Sequence, residues 1–241
     1  MPFNKRVSDS EIASVALAKR LKITGIISTE DDTDDLVTEP AGAASDRCVV
    51  NRPAPKFSVP AVMADGSIET VALSQFKGQY LVLLFYPADF TLVCPTEITS
   101  FSDHIASFAE LNCAVAVCST DSEYVHYNWR QQAREDGGVG QVAVPMLADR
   151  TMEMSRSYGV LSEEEGQAFR GLFIIDPKQV VRIGHINDMP VGRSVEETLR
   201  LVSALKFADE NGQVCPANWK AGDAAIDPDI VRSKAFFESS D

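Results

Sequence analysis

Residues 81–97 read LVLLFYPADFTLVCPTE. From Leu81 to Tyr86 every residue is apolar or aromatic, with no alternation toward polar side chains, which is the pattern of a strand buried on both faces. Pro87 ends that strand, because it has no N–H to give to a neighbour. After Cys94 the apolar residues Ile98, Phe101, Ile105, Phe108 and Leu111 recur every three or four positions. That spacing predicts one helix with a single buried face, and Pro95 suits its first turn. CAVAVCS, 113–119, then returns as a strand. Strand, helix and strand form a βαβ unit, expected to be parallel and right-handed. The fold class is therefore α/β.

Further along, the reading predicts a helix over about Glu123–Arg134 carrying Trp129, strands at 171–176 and 180–184, and a capping box at Ser194-Val195-Glu196-Glu197 that opens a last helix. Its inward positions are Val195, Leu199, Val202 and Leu205. From Phe207 the chain is polar and punctuated by Gly212, Pro216, Gly222 and Pro228, as in an arm that wraps something. Residues 1–47 read as a flexible N-terminal extension with one short amphipathic helix through Ile12, Val15 and Leu21, then the solvated runs EDDTDD and EPAGAASD. The expected organisation is an extension over 1–47, a domain over 48–206 and an arm over 207–241.

At 241 residues, 45% hydrophobic, the chain supports one sizeable core. A formal net charge of −13 repels nucleic acid and anionic membrane surfaces, and excludes both as partners. The longest apolar run is far short of the roughly 20 residues that cross a bilayer. Five cysteines, an odd number without a dense framework, suit a reducing compartment. The expected location is the cytoplasm, or the mitochondrion if the N-terminal extension serves as a transit peptide.

Cys94 leaves a parallel strand and enters a helix, where ligands of α/β sheets collect. A thiol in a helix's first turn sits near unpaired N–H groups, which favour the thiolate. Ionisation alone gives little, because intrinsic nucleophilicity falls as a thiol becomes more acidic. A fast catalyst also needs donors aimed at the oxygen that gains charge. Thr91, three residues earlier, shares a face with the sulfur if the backbone there is helical, and Pro87 can wall off water. Cys113 and Cys118, five apart on a strand, point to opposite faces and read as core. Cys48 reads as an incidental thiol. His104, His126 and His185 have no metal-ligand spacing, and no metal or cofactor motif is present. Trp129 and Trp219 read as packing residues.

FYPADFTLVCPTE, 85–97, resembles the signature P-x-x-x-T-x-x-C of the typical 2-Cys peroxiredoxins (AhpC/TSA-like family), matched by Pro87, Thr91 and Cys94. FRGLFIID, 169–176, resembles the segment that supplies the active-site arginine, here Arg170. DMPVGRSVEETLRL, 188–201, with Arg193, and GQVCPANWK, 212–220, with Cys215, resemble two further landmarks. The resemblance implies a thioredoxin-like fold with a central mixed β-sheet flanked by helices and an extended C-terminal arm. It implies a peroxidase acting on hydrogen peroxide and alkyl hydroperoxides, with Cys94 as nucleophile, Thr91 and Arg170 stabilising the developing charge and Glu97 orienting the arginines. Cys215 of a second subunit would resolve the sulfenic acid into an intersubunit disulfide, reduced by thioredoxin or a similar dithiol protein, within a homodimer that assembles into a decamer. No cofactor is implied.

Gly137-Gly138-Val139-Gly140 and Ala235-Phe236-Phe237 stand where the family's easily overoxidised members carry GGLG and a YF-bearing helix. The departure implies an overoxidation-sensitive enzyme with looser C-terminal packing. A thiol–disulfide oxidoreductase on the same fold would use C-x-x-C, and no two cysteines have that spacing. A holdase chaperone role is a second activity that the family implies.

Overall fold

The computed structural model describes residues 48–238. The helix expected through Ile12, Val15 and Leu21 lies outside them. Among the described residues, seven of the nine strands form one mixed sheet: β1 (Ser58–Val62), β2 (Ile68–Ala72), β3 (Tyr80–Phe85), β4 (Cys113–Ser119), β5 (Met146–Ala148), β8 (Arg170–Ile175) and β9 (Val181–Asn187), in the order β2-β1-β5-β4-β3-β8-β9. A separate two-stranded ribbon joins β6 (Leu161–Ser162) to β7 (Gln167–Ala168).

β3 lies at the middle of the packing. It runs parallel to β4 and antiparallel to β8, and every one of its residues is buried. Leu81, Leu83 and Phe85 join Ala116, Cys118, Tyr158, Phe173 and Ile175 in one apolar layer, whereas Val82 and Leu84 join Val115, Val117, Leu172 and Ile174 in the other. The unbroken apolar run therefore supplies two cores, and each fully buried large side chain contributes about 1.5–3 kcal/mol. Cys113 and Cys118 fall into opposite layers, as their spacing requires.

The expected single helix after Cys94 is two helices, α1 (Cys94–Asp103) and α2 (Ile105–Glu110). The break is at His104, whose Nδ1 takes the Ser100 carbonyl at 2.8 Å. A continuing helix would give that carbonyl to the His104 amide, so a side chain competes with the backbone ladder. The apolar periodicity passes through the break, because the Phe101 and Phe108 rings stack across it at 5.8 Å.

The next helix, α3 (Glu123–Trp129), stops short of Arg134. Arg130 turns inward, and its guanidinium donates to Val142 O at 3.0 Å and Ala64 O at 2.8 Å. The chain then closes a 3-10 turn at Gly137, whose φ of +82° suits glycine. Gly138 follows under tight constraint, since a Cβ there would meet the Gln132 carbonyl oxygen at 2.2 Å.

After α4 (Glu153–Ser157), the last long helix is α5 (Val195–Asn211), which continues past residue 206. Ser194 Oγ accepts from the Glu197 amide at 3.1 Å, but the reciprocal half of the expected capping box does not form. The Glu197 carboxylate instead receives the Arg200 guanidinium at 2.7 and 2.8 Å. Val195 and Val202 are buried, while Leu199 and Leu205 pack partly buried against the same layer. The terminal helix α6 (Lys234–Glu238) contributes no buried residue. Among the described residues no helix is long and apolar enough to cross a membrane.

Candidate active site

The site forms where β3 ends and α1 begins. Cys94 is the first residue of α1 and is fully buried. No side chain caps this helix; Pro95 has no N–H to offer, and the Thr96 and Glu97 amides donate to Val93 O at 3.1 and 3.3 Å. One turn on, Glu97 shares the face of Cys94 and is also buried.

Two arginines converge on that carboxylate. Arg170, the first residue of β8, donates from Nη1 to Glu97 Oε2 at 2.6 Å and from Nε to Met189 O at 2.6 Å. Its Nη1 also reaches Cys94 Sγ at 3.3 Å. Arg193 donates from Nε and from its backbone amide to Glu97 Oε1 at 2.7 and 2.8 Å. The Arg193 Nη1 is held by Phe85 O at 2.7 Å and Gly171 O at 2.6 Å. Two buried guanidiniums face one carboxylate, so within this trio one positive charge is uncompensated, and it borders the sulfur. Such a cluster suits chemistry that builds negative charge at Cys94.

The residues themselves pointed to Cys94, and the resemblance added Glu97, Arg170 and Arg193; these four meet. Thr91 behaves differently from the expectation. The helix starts only at Cys94, so Thr91 lies in the preceding loop and shares no helical face with the sulfur. Its hydroxyl donates its one proton to Ala88 O at 2.9 Å. The Thr91 oxygen is thereby presented as an acceptor rather than as a donor to developing charge. Pro87 is buried at the start of the same loop.

A buried network beneath this loop was missed in the sequence. Asp89 accepts Tyr86 Oη–H at 2.7 Å and contacts His126 Nδ1 at 2.8 Å. His126 Nε2 faces Leu147 O at 3.1 Å, and the Asp89 amide donates to Asp121 Oδ2 at 2.9 Å. Both ring nitrogens thus lie within hydrogen-bonding distance of oxygen atoms. Burial pushes the Asp89 carboxyl above the usual carboxylate range, against the hydrogen bonds from His126 and Tyr86. The signal in the sequence was positional: His126 and Trp129 are three apart on α3, and both are fully buried. Phe90, in the same loop, holds a left-handed φ of +57° with its ring 5.8 Å from Trp129.

Cys215 lies on the arm after α5, half-buried, its Sγ–H directed at Ala204 O at 3.5 Å. All five cysteines are free thiols. Burial pushes the Cys48 thiol up to about 11 and the Cys113 thiol up to about 12, and moves Cys118 well above the ordinary range. Among the described residues no group of three or more His, Cys, Asp or Glu could hold a metal ion.

Residues 50–183 match the model of the AhpC/TSA family, and residues 204–238 match that of the C-terminal domain of 1-Cys peroxiredoxin. The chain belongs to the AhpC/TSA family. Peroxiredoxin 2 of Drosophila melanogaster is 52% identical over 191 residues, which cover 79% of this chain and 98% of the relative. The thioredoxin peroxidase of Fasciola hepatica is 53% identical over 190 residues, covering 79% and 97%. The crystal structure of reduced 2-Cys peroxiredoxin from Plasmodium vivax superposes with a TM-score of 0.77 at 36% identity, over 78% of this chain and 98% of that one. As an AhpC/TSA protein with a mixed seven-stranded sheet and flanking helices, the chain has the thioredoxin-like fold and is a peroxiredoxin, an oxidoreductase that reduces peroxides.

Proposed function

We propose that this peroxiredoxin reduces hydrogen peroxide and alkyl hydroperoxides through Cys94, with Cys215 of a second subunit as the resolving thiol. The observation that carries the reading is the Arg170 guanidinium 3.3 Å from Cys94 Sγ, with its charge shared with Glu97. The Cys94 thiolate attacks the terminal peroxide oxygen; an S–O bond forms, the O–O bond breaks, and the departing oxygen leaves as water or alcohol after taking a proton. Sulfur loses two electrons and becomes a sulfenic acid. Arg170 stabilises the charge that moves across the two oxygens, Thr91 orients the peroxide by accepting its O–H, and Pro87 keeps water from the pocket.

Cys215 then attacks the Cys94 sulfur, an S–S bond forms and the sulfenic oxygen departs as water. A dithiol protein of the thioredoxin type returns both thiols. Pairing of two copies is supported by the position of β9, an outer strand of the sheet with Ile186 half-exposed, and the family resemblance supports five such dimers in a decamer. We place the enzyme in the cytoplasm.

Stopped-flow peroxide consumption by wild type, Cys94→Ser and Cys215→Ser, followed by non-reducing electrophoresis, tests the reading. Cys94→Ser should abolish turnover; Cys215→Ser should consume one equivalent of peroxide and form no linked dimer. A Cys94→Ser protein that still turns over would overturn it.

A further inference from the structure

Asn187 closes β9 and stands opposite Arg170 in the β8–β9 register. Its side chain binds the loop that follows: Nδ2 donates to Val191 O at 3.1 Å and to Gly192 O at 3.4 Å. Within that loop the Val191 amide donates to Asp188 O at 3.1 Å, which closes a turn. The turn lies against the start of α1, since a Cβ on Gly192 would meet Val93 Cγ1 at 3.5 Å and Glu97 Cγ at 3.6 Å. Two of its backbone groups serve the buried trio. Met189 O accepts from Arg170 Nε at 2.6 Å. The Arg193 amide donates to Glu97 Oε1 at 2.8 Å, and it belongs to the same planar peptide unit as Gly192 O. An Asn187 hydrogen on the oxygen of that unit therefore helps to aim the N–H at its other end.

We propose that Asn187 is a positioning residue for the peroxide step, holding the 188–193 loop so that Met189 O and the Arg193 amide keep Arg170 pointed at Cys94. The proposal rests on the roles assigned to Cys94 and Arg170 in peroxide reduction. A guanidinium is planar, and a plane hinged at a single bond can swing. The Nη1 bond to Glu97 is one fixed point and the Nε bond to Met189 O is the second; with both in place, the other Nη1 hydrogen is left facing the sulfur at 3.3 Å. Without the second point the guanidinium pivots about Glu97, and its donor leaves the oxygens that gain charge. The side-chain hydrogen bonds of Asn187 go to the loop, so its effect on the rate passes through the two backbone groups that the loop presents.

Stopped-flow peroxide kinetics of wild type, Asn187→Ala, Asn187→Asp, Asn187→Gln, Arg170→Ala and the variant carrying both alanines test it. Asn187→Ala should lower the second-order rate about tenfold, the scale of the hydrogen bonds removed. Asn187→Asp keeps the shape but sets carboxylate oxygens against two carbonyls, and should lose at least as much. Asn187→Gln keeps the donor and should recover part of the rate. In the Arg170→Ala background the Asn187→Ala change should cost less than about twofold, because the donor it aims is gone, whereas a residue that only supports the fold would cost its full factor in both backgrounds. An additive loss, or alanine and aspartate variants that both stay within about twofold of wild type, overturns the proposal. Should Asn187→Ala fold poorly by circular dichroism, Asn187→Asp takes its place in the cycle. An Arg170→Ala protein that loses less than about tenfold removes the role of Arg170 itself, a failure distinct from that of Asn187.

Discussion

Arg170 Nη1 lies 3.3 Å from Cys94 Sγ and 2.6 Å from Glu97 Oε2, so one nitrogen divides its two hydrogens between the nucleophile and a buried carboxylate. The carboxylate fixes where the guanidinium points, and the sulfur receives what remains of its charge.

Removing that donor should slow the peroxide step more than it harms folding. Arg170→Ala is expected to lower the second-order rate with peroxide by about 10²–10³, the usual loss for one preorganised donor. Arg170→Lys should recover only a small part, because a single ammonium cannot face Cys94, Glu97 and Met189 O together. Stopped-flow kinetics read both, and a loss below tenfold for the alanine variant would remove Arg170 from the role proposed for it.

Glu97→Gln should act on stability first. It leaves two buried guanidiniums facing a neutral amide, and breaking a buried ion pair from one side costs about 3–5 kcal/mol. Urea unfolding followed by circular dichroism measures it. A cost under about 1 kcal/mol would mean that water or the carbonyls of Phe85, Gly171 and Met189 already satisfy the arginines.

How much of this was legible depends on what kind of interaction wrote each feature. The two-faced burial of Leu81–Tyr86 and the opposite placement of Cys113 and Cys118 could be read directly, because the strand period alone dictates them. The break at His104 could not, since it arises from a ring-to-carbonyl bond inside an intact apolar periodicity. Whether Thr91 shares a helical face with Cys94 could not be read, because three-residue spacing looks the same on paper whether the helix begins at Thr91 or, as it does, at Cys94. The pairing of Asp89 with His126 was hidden by distance along the chain, and the meeting of Arg170 and Arg193 at Glu97 came from the resemblance, not from any spacing.

The Asp89–His126 pair should support the loop that carries Thr91. His126→Phe leaves Asp89 buried with only its Tyr86 bond and removes the partner of Leu147 O, so a loss of about 1–3 kcal/mol for each unpaired group is expected. Tyr86→Phe deletes one hydrogen bond and should cost about 1 kcal/mol. Thermal unfolding separates the two, and equal costs would show that the Asp89–His126 contact has no special weight.

Thiol reactivity should follow burial. Burial raises the Cys48, Cys113 and Cys118 thiols, the first two to about 11 and about 12, so all three are neutral at pH 8. Iodoacetamide at that pH, with peptide mass spectrometry, should label Cys215 ahead of these three, and Cys113 and Cys118 only after unfolding. Early labelling of Cys118 would contradict its place in the core.

The complete enclosure of Cys94 has a consequence for which molecules exchange electrons with it. A hydroperoxide needs only a slight parting of the residues above the sulfur, whereas the active-site thiol of another protein is carried on a body far too bulky to follow. The closed fold therefore works as a sieve that admits the oxidant and turns a protein thiol away, and in the proposed cycle the reducing equivalents come in by a different door, the half-open Cys215.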